Sequence, residues 1–468
     1  MSLPHARKKP ERFPLKRLFG TSGIRGRTGT TITSQLALRV GQALATYSRA
    51  KTILTAHDTR TTSPLLHSAL TAGIIACGTT ALSQGMVPTP VLAYISKQTG
   101  VQAGVMITAS HNPPEYNGIK LYNPDTTAYN QAQQNQIERL VASQRFRLAN
   151  WQSIGKAIQV YETRRYIEMI TSAVKLRQRW RILLDPGNGA TSQLAPEILR
   201  ELGCKVATMN SQPDGHFPGR GSEPSEKILR PLGSMVRKLK ADIGIAYDGD
   251  GDRMITIDER GHVTPPDQTF AAYAAHRIQH EKNKTVITHV EASICVEEMV
   301  EKEGGKVFRT KVGDVSITEA IKNQEATFGG EPCGAWIHPS YHYCPDGILS
   351  SILFLQALEE TGQKPSQFIS KAPTYPMLRR NVTCPSQATQ KVMEKAHNTL
   401  PENFRETKQQ SKMDGIRLTF NEGWLLIRPS GTEPFIRITV EAKTRKRAES
   451  AMKKTVRLLN KLIREANQ

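Results

Sequence analysis

The chain has 468 residues, 38% hydrophobic and 22% charged, with a formal net charge of +21. That length exceeds one ordinary core, and the composition excludes a disordered chain. No apolar run reaches the roughly 20 residues that a membrane-crossing helix needs, so we expect no membrane partner.

The opening ten residues are basic but lack an apolar stretch, so no secretory signal is expected there. Six cysteines (Cys77, Cys204, Cys295, Cys333, Cys344, Cys384) lie far apart without a Cys-x-x-Cys pair, which argues against zinc and disulfides and suits a reducing, cytoplasmic setting. The positive charge is spread along the chain, heaviest in the N-terminal tail and in a helix over 443–464. No helix-turn-helix, zinc-finger or aromatic RNA-binding pattern accompanies it. It therefore reads as a solvated face or as steering for small anionic substrates, with no nucleic acid expected as the main partner.

In chain order, one pattern recurs three times in diverged form: apolar strand, helix, glycine turn, second strand, helix, closing strand. Opening strands are predicted at 52–55, 181–184 and 285–288, and closing strands begin at Ala103, Ala241 and Ala326. Strands alternating with helices imply α/β layers, whose ligands gather at the carboxyl ends of the strands. After about Pro373 the pattern changes to short strands at 417–420, 424–427 and 436–440, then an amphipathic helix from about 447 to 465. The expected fold is α/β: three similar α/β domains with mixed sheets and a smaller C-terminal α+β domain around a central cleft. Boundaries are placed at 1–150, 151–262, 263–372 and 373–468.

Each repeat ends in a loop rich in reactive residue types. In the first, Thr108-Ala109-Ser110-His111-Asn112-Pro113 sets one serine on a proline-stopped loop after an apolar strand. Alone it could be an ordinary turn. In the second, Asp248-Gly249-Asp250-Gly251-Asp252-Arg253 offers hard oxygen ligands at alternate positions, suiting magnesium; an EF-hand would need a downstream bidentate Glu that is missing. In the third, Glu331 in Gly329-Gly330-Glu331-Pro332-Cys333-Gly334 can accept from sugar hydroxyls. Cys333 reads as a small neighbour of the site rather than a nucleophile, because no base is close in sequence. In the C-terminal part, Arg428, Ser430, Gly431, Thr432 and Arg437 can make a phosphate clamp from forked donors, hydroxyls and an approachable amide. Arg25 and Lys120 are cations in glycine-bearing loops, and a lysine beside a metal is expected to have a lowered pKa.

These motifs, in this order, resemble the α-D-phosphohexomutases, which include phosphoglucomutases, phosphomannomutases and phosphoglucosamine mutases. The match covers the chain from about residue 16 onward. The resemblance implies an isomerase that moves a phosphoryl group between O6 and O1 of a hexose phosphate through a phosphoserine and an enzyme-bound bisphosphate. It also implies one Mg²⁺ per chain, a hexose 1,6-bisphosphate activator, and a monomer or homodimer. Carried over by position, Ser110 is the expected phosphoserine and, with Asp248, Asp250 and Asp252, a metal ligand. Lys120, Arg25 and His111 join it at the transfer site, and Arg253 lines it. Gly313, Asp314, Glu331 and Cys333 face the sugar. Arg428, Ser430, Gly431, Thr432 and Arg437 hold the distal phosphate. Many members carry Gly-Glu-x-Ser-Gly-His in the sugar loop; here Cys333 and Ala335 replace the serine and histidine. Lys311-Val312-Gly313-Asp314 and the 19–26 opening lie nearer the phosphoglucosamine mutase pattern. Rival readings are a phosphoglucomutase/phosphomannomutase and a non-catalytic sugar-phosphate sensor.

Overall fold

The computed structural model describes residues 17–404, 406–430 and 434–466. Three of its sheets share one four-strand plan. In domain I, Thr52–His57 runs parallel to Thr80–Met86 on one side and to Ala103–Ile107 on the other, and Tyr116–Tyr122 returns antiparallel to Ala103–Ile107. Domain II repeats this with Arg181–Asp185, Lys205–Thr208, Ile243–Tyr247 and the returning Met254–Ile257. Domain III uses Thr285–His289, Lys306–Thr310, Phe328–Glu331 and Ala335–Ile337. The sheet of domain I is widened to seven strands by Phe19–Gly20 and Gly23–Arg27 at one edge and Ala157–Gln159 at the other, so this sheet runs past the boundary placed at 150.

Each functional loop is therefore a hairpin connection between a closing strand and an antiparallel return strand. The return strands are the elements that the sequence pattern does not announce. Met254–Ile257 and Ala335–Ile337 are short and wholly buried, so they carry no polar alternation.

Helices cover the sheets. The paired helices Ser34–Ser48 and Ser63–Ile75 of domain I cross so closely that a Cβ on Gly41 would lie 2.3 Å from the Leu70 carbonyl oxygen, and one on Gly73 2.1 Å from that of Leu38. One continuous apolar cluster runs through domains I to III, from Leu54 and Met106 by way of Tyr166 and Tyr247 to Phe270, Trp336 and Phe354.

Domain IV has its own core. Its five antiparallel strands are Met377–Thr383, Gln409–Ser411, Ile416–Phe420, Gly423–Pro429 and Phe435–Ala442. Helices Ser386–Asn403 and Arg445–Ala466 cover one face, packing Val392 and Leu459 against Leu425, Ile427 and Ile438. The alternate residues Trp424 and Leu426 face the other way and meet Val290 of domain III in a small separate cluster. Gly423–Pro429 is thus buried along both faces by two different neighbours. The strands Met377–Thr383 and Gln409–Ser411 and the helix Ser386–Asn403 were not foreseen; much of Met377–Thr383 is exposed and carries Arg379, Arg380 and Asn381 in its middle. Among the described residues, no helix is long and apolar enough to cross a membrane.

Because the Gly41–Gly73 crossing leaves no room for a side chain, Gly73→Val should destabilise domain I by about 2–3 kcal/mol. Thermal melting followed by circular dichroism checks this; an unchanged transition would contradict the packing described.

Candidate active site

Ser110 follows the buried strand Ala103–Ile107 and adopts a left-handed backbone, φ +52°. For a residue with a Cβ this conformation costs about 1–2 kcal/mol, so surrounding contacts must hold it. They do. The Ser110 amide donates to Thr108 Oγ1 at 2.9 Å, and the Asn112 amide closes the turn on the Ala109 carbonyl. Beneath the loop lies Arg60, which no sequence signal singled out. Its Nη2 donates to the carbonyls of Ser110 (2.7 Å) and Asn112 (2.7 Å), and its Nη1 to those of Pro113 (2.6 Å) and Tyr116 (2.8 Å). Its Nε donates to Asp58 Oδ2 at 2.9 Å, and both side chains are fully buried. Asp58 also accepts from the hydroxyls of Ser63 (2.6 Å) and Thr108 (2.7 Å). The Phe217 ring of domain II lies 5.1 Å from the guanidinium.

Domain II brings its acidic hairpin against this loop. Ser110 Oγ donates to Asp248 Oδ2 at 2.7 Å. Asp248 Oδ1 accepts from the amides of Gly251 (3.0 Å) and Arg253 (3.2 Å), which requires the tight turn that Gly251 makes at φ +75°. A Cβ at Gly249 would fall 2.5 Å from the Ser110 carbonyl, so the two loops touch through backbone. From the return strand Tyr116–Tyr122, Lys120 Nζ reaches Asp250 Oδ2 at 2.7 Å and Asp252 Oδ2 at 2.6 Å. Thr89 Oγ1 donates to Asp250 Oδ2 at 2.5 Å.

Oxygens from Asp248, Asp250 and Asp252 lie within 4.8 Å of one another, and all three residues are buried. The Oδ1 atoms of Asp250 and Asp252 are buried without a hydrogen-bond partner. Orphaned carboxylate oxygens converging in this way fit a hard divalent cation. Burial and the neighbouring Asp252 and Asp250 push Asp248 well above the usual carboxylate range. Burial acts on Asp250 in the same sense, but Lys120 and Thr89 outweigh it and hold that carboxyl below its usual value. For Lys120, burial favours the neutral amine, yet Asp250 and Asp252 outweigh burial and raise its pKa. This corrects the expectation of a lowered value: the nearest charges to Lys120 are the carboxylates themselves.

His111 Nδ1 stands 3.3 Å from Ser110 Oγ, and its Nε2 lies 3.8 Å from Glu223 Oε2. Burial, Arg253 and Arg25 hold its pKa down to about 2, so the ring is neutral. Arg25 donates from Nη1 to Asn112 Oδ1 at 3.1 Å. Arg253 Nε is 3.8 Å from Asp252 Oδ1.

In domain III, Glu331 Oε1 accepts the Gly313 amide at 2.9 Å, and Cys333 Sγ donates to Glu331 Oε2 at 3.4 Å. Burial alone would raise Glu331, but His289 and Arg253 bring it below its ordinary value. Burial pushes the Cys333 thiol up, leaving it a neutral donor. Asp314 begins helix Asp314–Gln324 and accepts from Ser22 Oγ of domain I at 3.1 Å. Burial raises its pKa, and Lys120, Asp252 and Glu331 are close enough to bias it, so the Glu331 loop and the acidic cluster form one neighbourhood.

In domain IV, Arg428 and Arg437 are register partners on adjacent antiparallel strands. Like charges placed opposite each other are unfavourable unless an anion lies between them. Arg428 Nη1 donates to Glu291 Oε1 at 3.0 Å, and its Nε is 3.2 Å from Asp414 Oδ1. Arg437 lies 5.9 Å from the Phe435 ring, and the Ser430 amide donates to the Phe435 carbonyl. Gly431 and Thr432 lie outside the described residues. Glu291, His289 and Asp414 were missed from the sequence; the first two stand at the carboxyl end of an opening strand, as Asp58 and Arg60 do, and that position was the available signal.

Comparison with known proteins identifies the family. The chain matches the phosphoglucomutase/phosphomannomutase models for alpha/beta/alpha domains I (residues 16–148), II (164–261) and III (265–375) and for the C-terminal domain (380–458). It is 41% identical to a probable phosphoglucosamine mutase of Methanobrevibacter smithii, over 96% of this chain and 100% of the relative. The corresponding protein of Methanothermobacter thermautotrophicus is 43% identical over 96% and 98%. A crystal structure of a phosphoglucomutase/phosphomannomutase family protein from Burkholderia thailandensis superposes with a TM-score of 0.86 at 25% identity, covering 95% of this chain and 97% of that one. With four domain models matched in order along nearly its whole length, the chain belongs to the phosphoglucomutase/phosphomannomutase family, the α-D-phosphohexomutases.

Proposed function

We propose that the chain is a phosphoglucosamine mutase that interconverts glucosamine 6-phosphate and glucosamine 1-phosphate through a phosphorylated Ser110. The observation that carries this reading is the contact of Ser110 Oγ with Asp248, inside a cluster that Lys120 bridges. The names of the full-length relatives support the choice of sugar.

In this mechanism phospho-Ser110 gives its phosphoryl group to the free hydroxyl of the bound sugar monophosphate. The resulting bisphosphate turns end for end and returns its other phosphoryl group to Ser110. Asp248, Asp250 and Asp252 would hold Mg²⁺, which offsets charge on the phosphoryl in transfer. Arg25 and Arg253 add fixed positive charge at the same place. Burial favours the Lys120 amine, but its two carboxylates outweigh burial and hold the ammonium. Drawing those carboxylates away frees it to take the proton of the attacking hydroxyl. Glu331, held ionised, accepts from sugar hydroxyls, with Cys333, Gly313 and Asp314 beside it. Arg428, Ser430, Gly431, Thr432 and Arg437 grip whichever phosphate is not reacting. A hexose 1,6-bisphosphate restores phospho-Ser110 when the intermediate escapes. The scattered free cysteines suit a cytoplasmic setting.

Cys333 and Ala335, where many family members have serine and histidine, favour keeping a phosphoglucomutase/phosphomannomutase as the second reading. Turnover of glucosamine 6-phosphate, glucose 1-phosphate and mannose 1-phosphate with a trace of hexose 1,6-bisphosphate separates the two. The expected order puts glucosamine phosphate first, and a clear preference for glucose or mannose phosphate would reverse the assignment.

Ser110→Ala should lower turnover by about 10⁴-fold or more while leaving the circular dichroism spectrum intact. Chelation should abolish turnover, and added Mg²⁺ should restore it; activity that persists after exhaustive chelation would remove the metal from the scheme. Arg60→Met should lower kcat about 10²-fold, with KM changed far less, since misplacing a reacting group by about 1 Å costs that much. Parallel losses in kcat and KM would instead indicate that Arg60 contacts substrate.

A further inference from the structure

Among the described residues, three lysine and arginine side chains are buried: Arg60, Lys120 and Arg417. Arg60 is paired with Asp58, and Lys120 with Asp250 and Asp252. Arg417 has no carboxylate in ion-pair contact among the described residues. Its Nη1 donates to Thr419 Oγ1 at 3.0 Å, its guanidinium lies 4.9 Å from the Trp424 ring, and its Nε is buried without a hydrogen-bond partner. Burial and the nearby Arg309 bring its pKa down to about 9 against the pull of Glu297 and Glu441, so it is still a cation at neutral pH. Arginines are rarely buried without a partner, because an uncompensated charge is costly.

The place of Arg417 in the fold suggests where its counter-charge comes from. It is the register partner of Leu426, so it lies on the side of domain IV that faces domain III. It lines a cleft of about 650 Å³ between the two domains, a size that suits a small molecule. One wall includes the outer strand of the domain III sheet, Lys306–Thr310, and the other the outer strand of the domain IV sheet, Gln409–Ser411. Lys408 and Lys443 add two more cations from domain IV. The glutamates of the cleft stand on the domain III wall. Glu297 is taken up by Nε and Nη2 of Arg309, Glu298 accepts the Tyr375 hydroxyl and lies 3.9 Å from Lys443, and Glu301 is exposed to solvent. Two exposed apolar side chains, Phe308 and Met413, line the same space from opposite walls.

We propose that this cleft is a second binding site, whose ligand is a small organic phosphate held by Arg417. The phosphate oxygens meet the guanidinium, with Lys408 and the Ser411 hydroxyl beside it, and the organic part lies between Phe308 and Met413. A phosphate offers several acceptor oxygens and up to two negative charges, which answers a guanidinium with unused donors and two neighbouring ammonium groups. The acidic domain III wall turns the anion toward domain IV, while Phe308 on that wall still contacts the apolar body. The site is separate from the Arg428 anchor, which lies two residues beyond Leu426 and is paired with Glu291 and Asp414. It does not depend on which sugar the chain turns over. Because both domains supply its walls, a bound ligand ties domain III to domain IV.

The test is calorimetric titration of the full chain with phenyl phosphate and, separately, with orthophosphate. Phenyl phosphate is expected to bind the natural chain and Arg428→Met alike, and Arg417→Met is expected to weaken it by about tenfold or more. Arg417→Met exchanges an unpaired buried charge for a side chain of similar volume, so its melting temperature without ligand is expected to be unchanged or raised. Lys408→Gln, at an exposed position, gives a second reading free of any folding effect, with an expected loss of about threefold. Phe308→Ser is expected to bring phenyl phosphate down to the affinity of orthophosphate, which separates an organic ligand from the free ion. Three results overturn the proposal: no binding by the natural chain at millimolar concentration, full binding by both Arg417→Met and Lys408→Gln, or binding that disappears in Arg428→Met. Equal affinity of the two phosphates for the natural chain overturns the organic part of the assignment.

Discussion

One buried guanidinium fixes the loop that carries the Ser110 hydroxyl. Arg60 spends its donors on Asp58 and on four carbonyls of the loop that carries Ser110, and it does so with no exposure to water. Burying a charge is costly unless it is paired and its donors are used. Here both conditions hold, and the reward is positional: a backbone that a serine would not choose by itself is kept in place from below. Removing the cation would take a donor from all four carbonyls and the counter-charge from Asp58, leaving Pro113 with the Tyr116 amide, Asn112 with the Ser222 hydroxyl and Asp58 with Ser63 and Thr108. The left-handed turn at Ser110 is therefore as fixed as the sheet beneath it.

The acidic cluster next to that hydroxyl is governed by competition rather than by satisfaction. Three buried carboxylates repel, and the ammonium of Lys120 relieves two of them while leaving an oxygen on each without a hydrogen-bond partner. The cluster is consequently built for more positive charge than the protein itself supplies. Arg25 and Arg253 stand at its margin, near enough to depress His111. The imidazole beside Ser110 is thus a neutral group in a strongly polarised setting, with Nδ1 at hydrogen-bond distance from Ser110 Oγ.

How much of this was legible in the sequence depends on whether chemistry is local in the chain. The Ser110 loop, the alternating aspartates and the Glu331 loop each lie within a few consecutive residues, and the three-fold repeat placed them at equivalent strand ends. Arg60 and Asp58 act on residues about fifty positions away, and Glu291 and Asp414 act on Arg428 from another strand end and another turn. No window of sequence contains such pairs. The return strands escaped notice because residues buried on both faces lose the alternation that marks a strand, and the charge state of Lys120 escaped because it follows from packing. Gly431 and Thr432 fall outside the described residues, so the anchor loop is known from its flanks, Arg428, Ser430 and Arg437.

Unequal cores divide the molecule mechanically. Domains I to III share one apolar body, and II and III are also stitched by backbone bonds, Met254 to Gly334 and Gly347 to Gly251. Domain IV keeps a separate interior and meets III through the small Val290–Trp424–Leu426 patch and the ion pair of Arg428 with Glu291. On the proposed mechanism, in which a sugar with two phosphates reverses itself without leaving, the seam before Met377 is the one we expect to yield, with Arg428 and Arg437 carried on the side of domain IV.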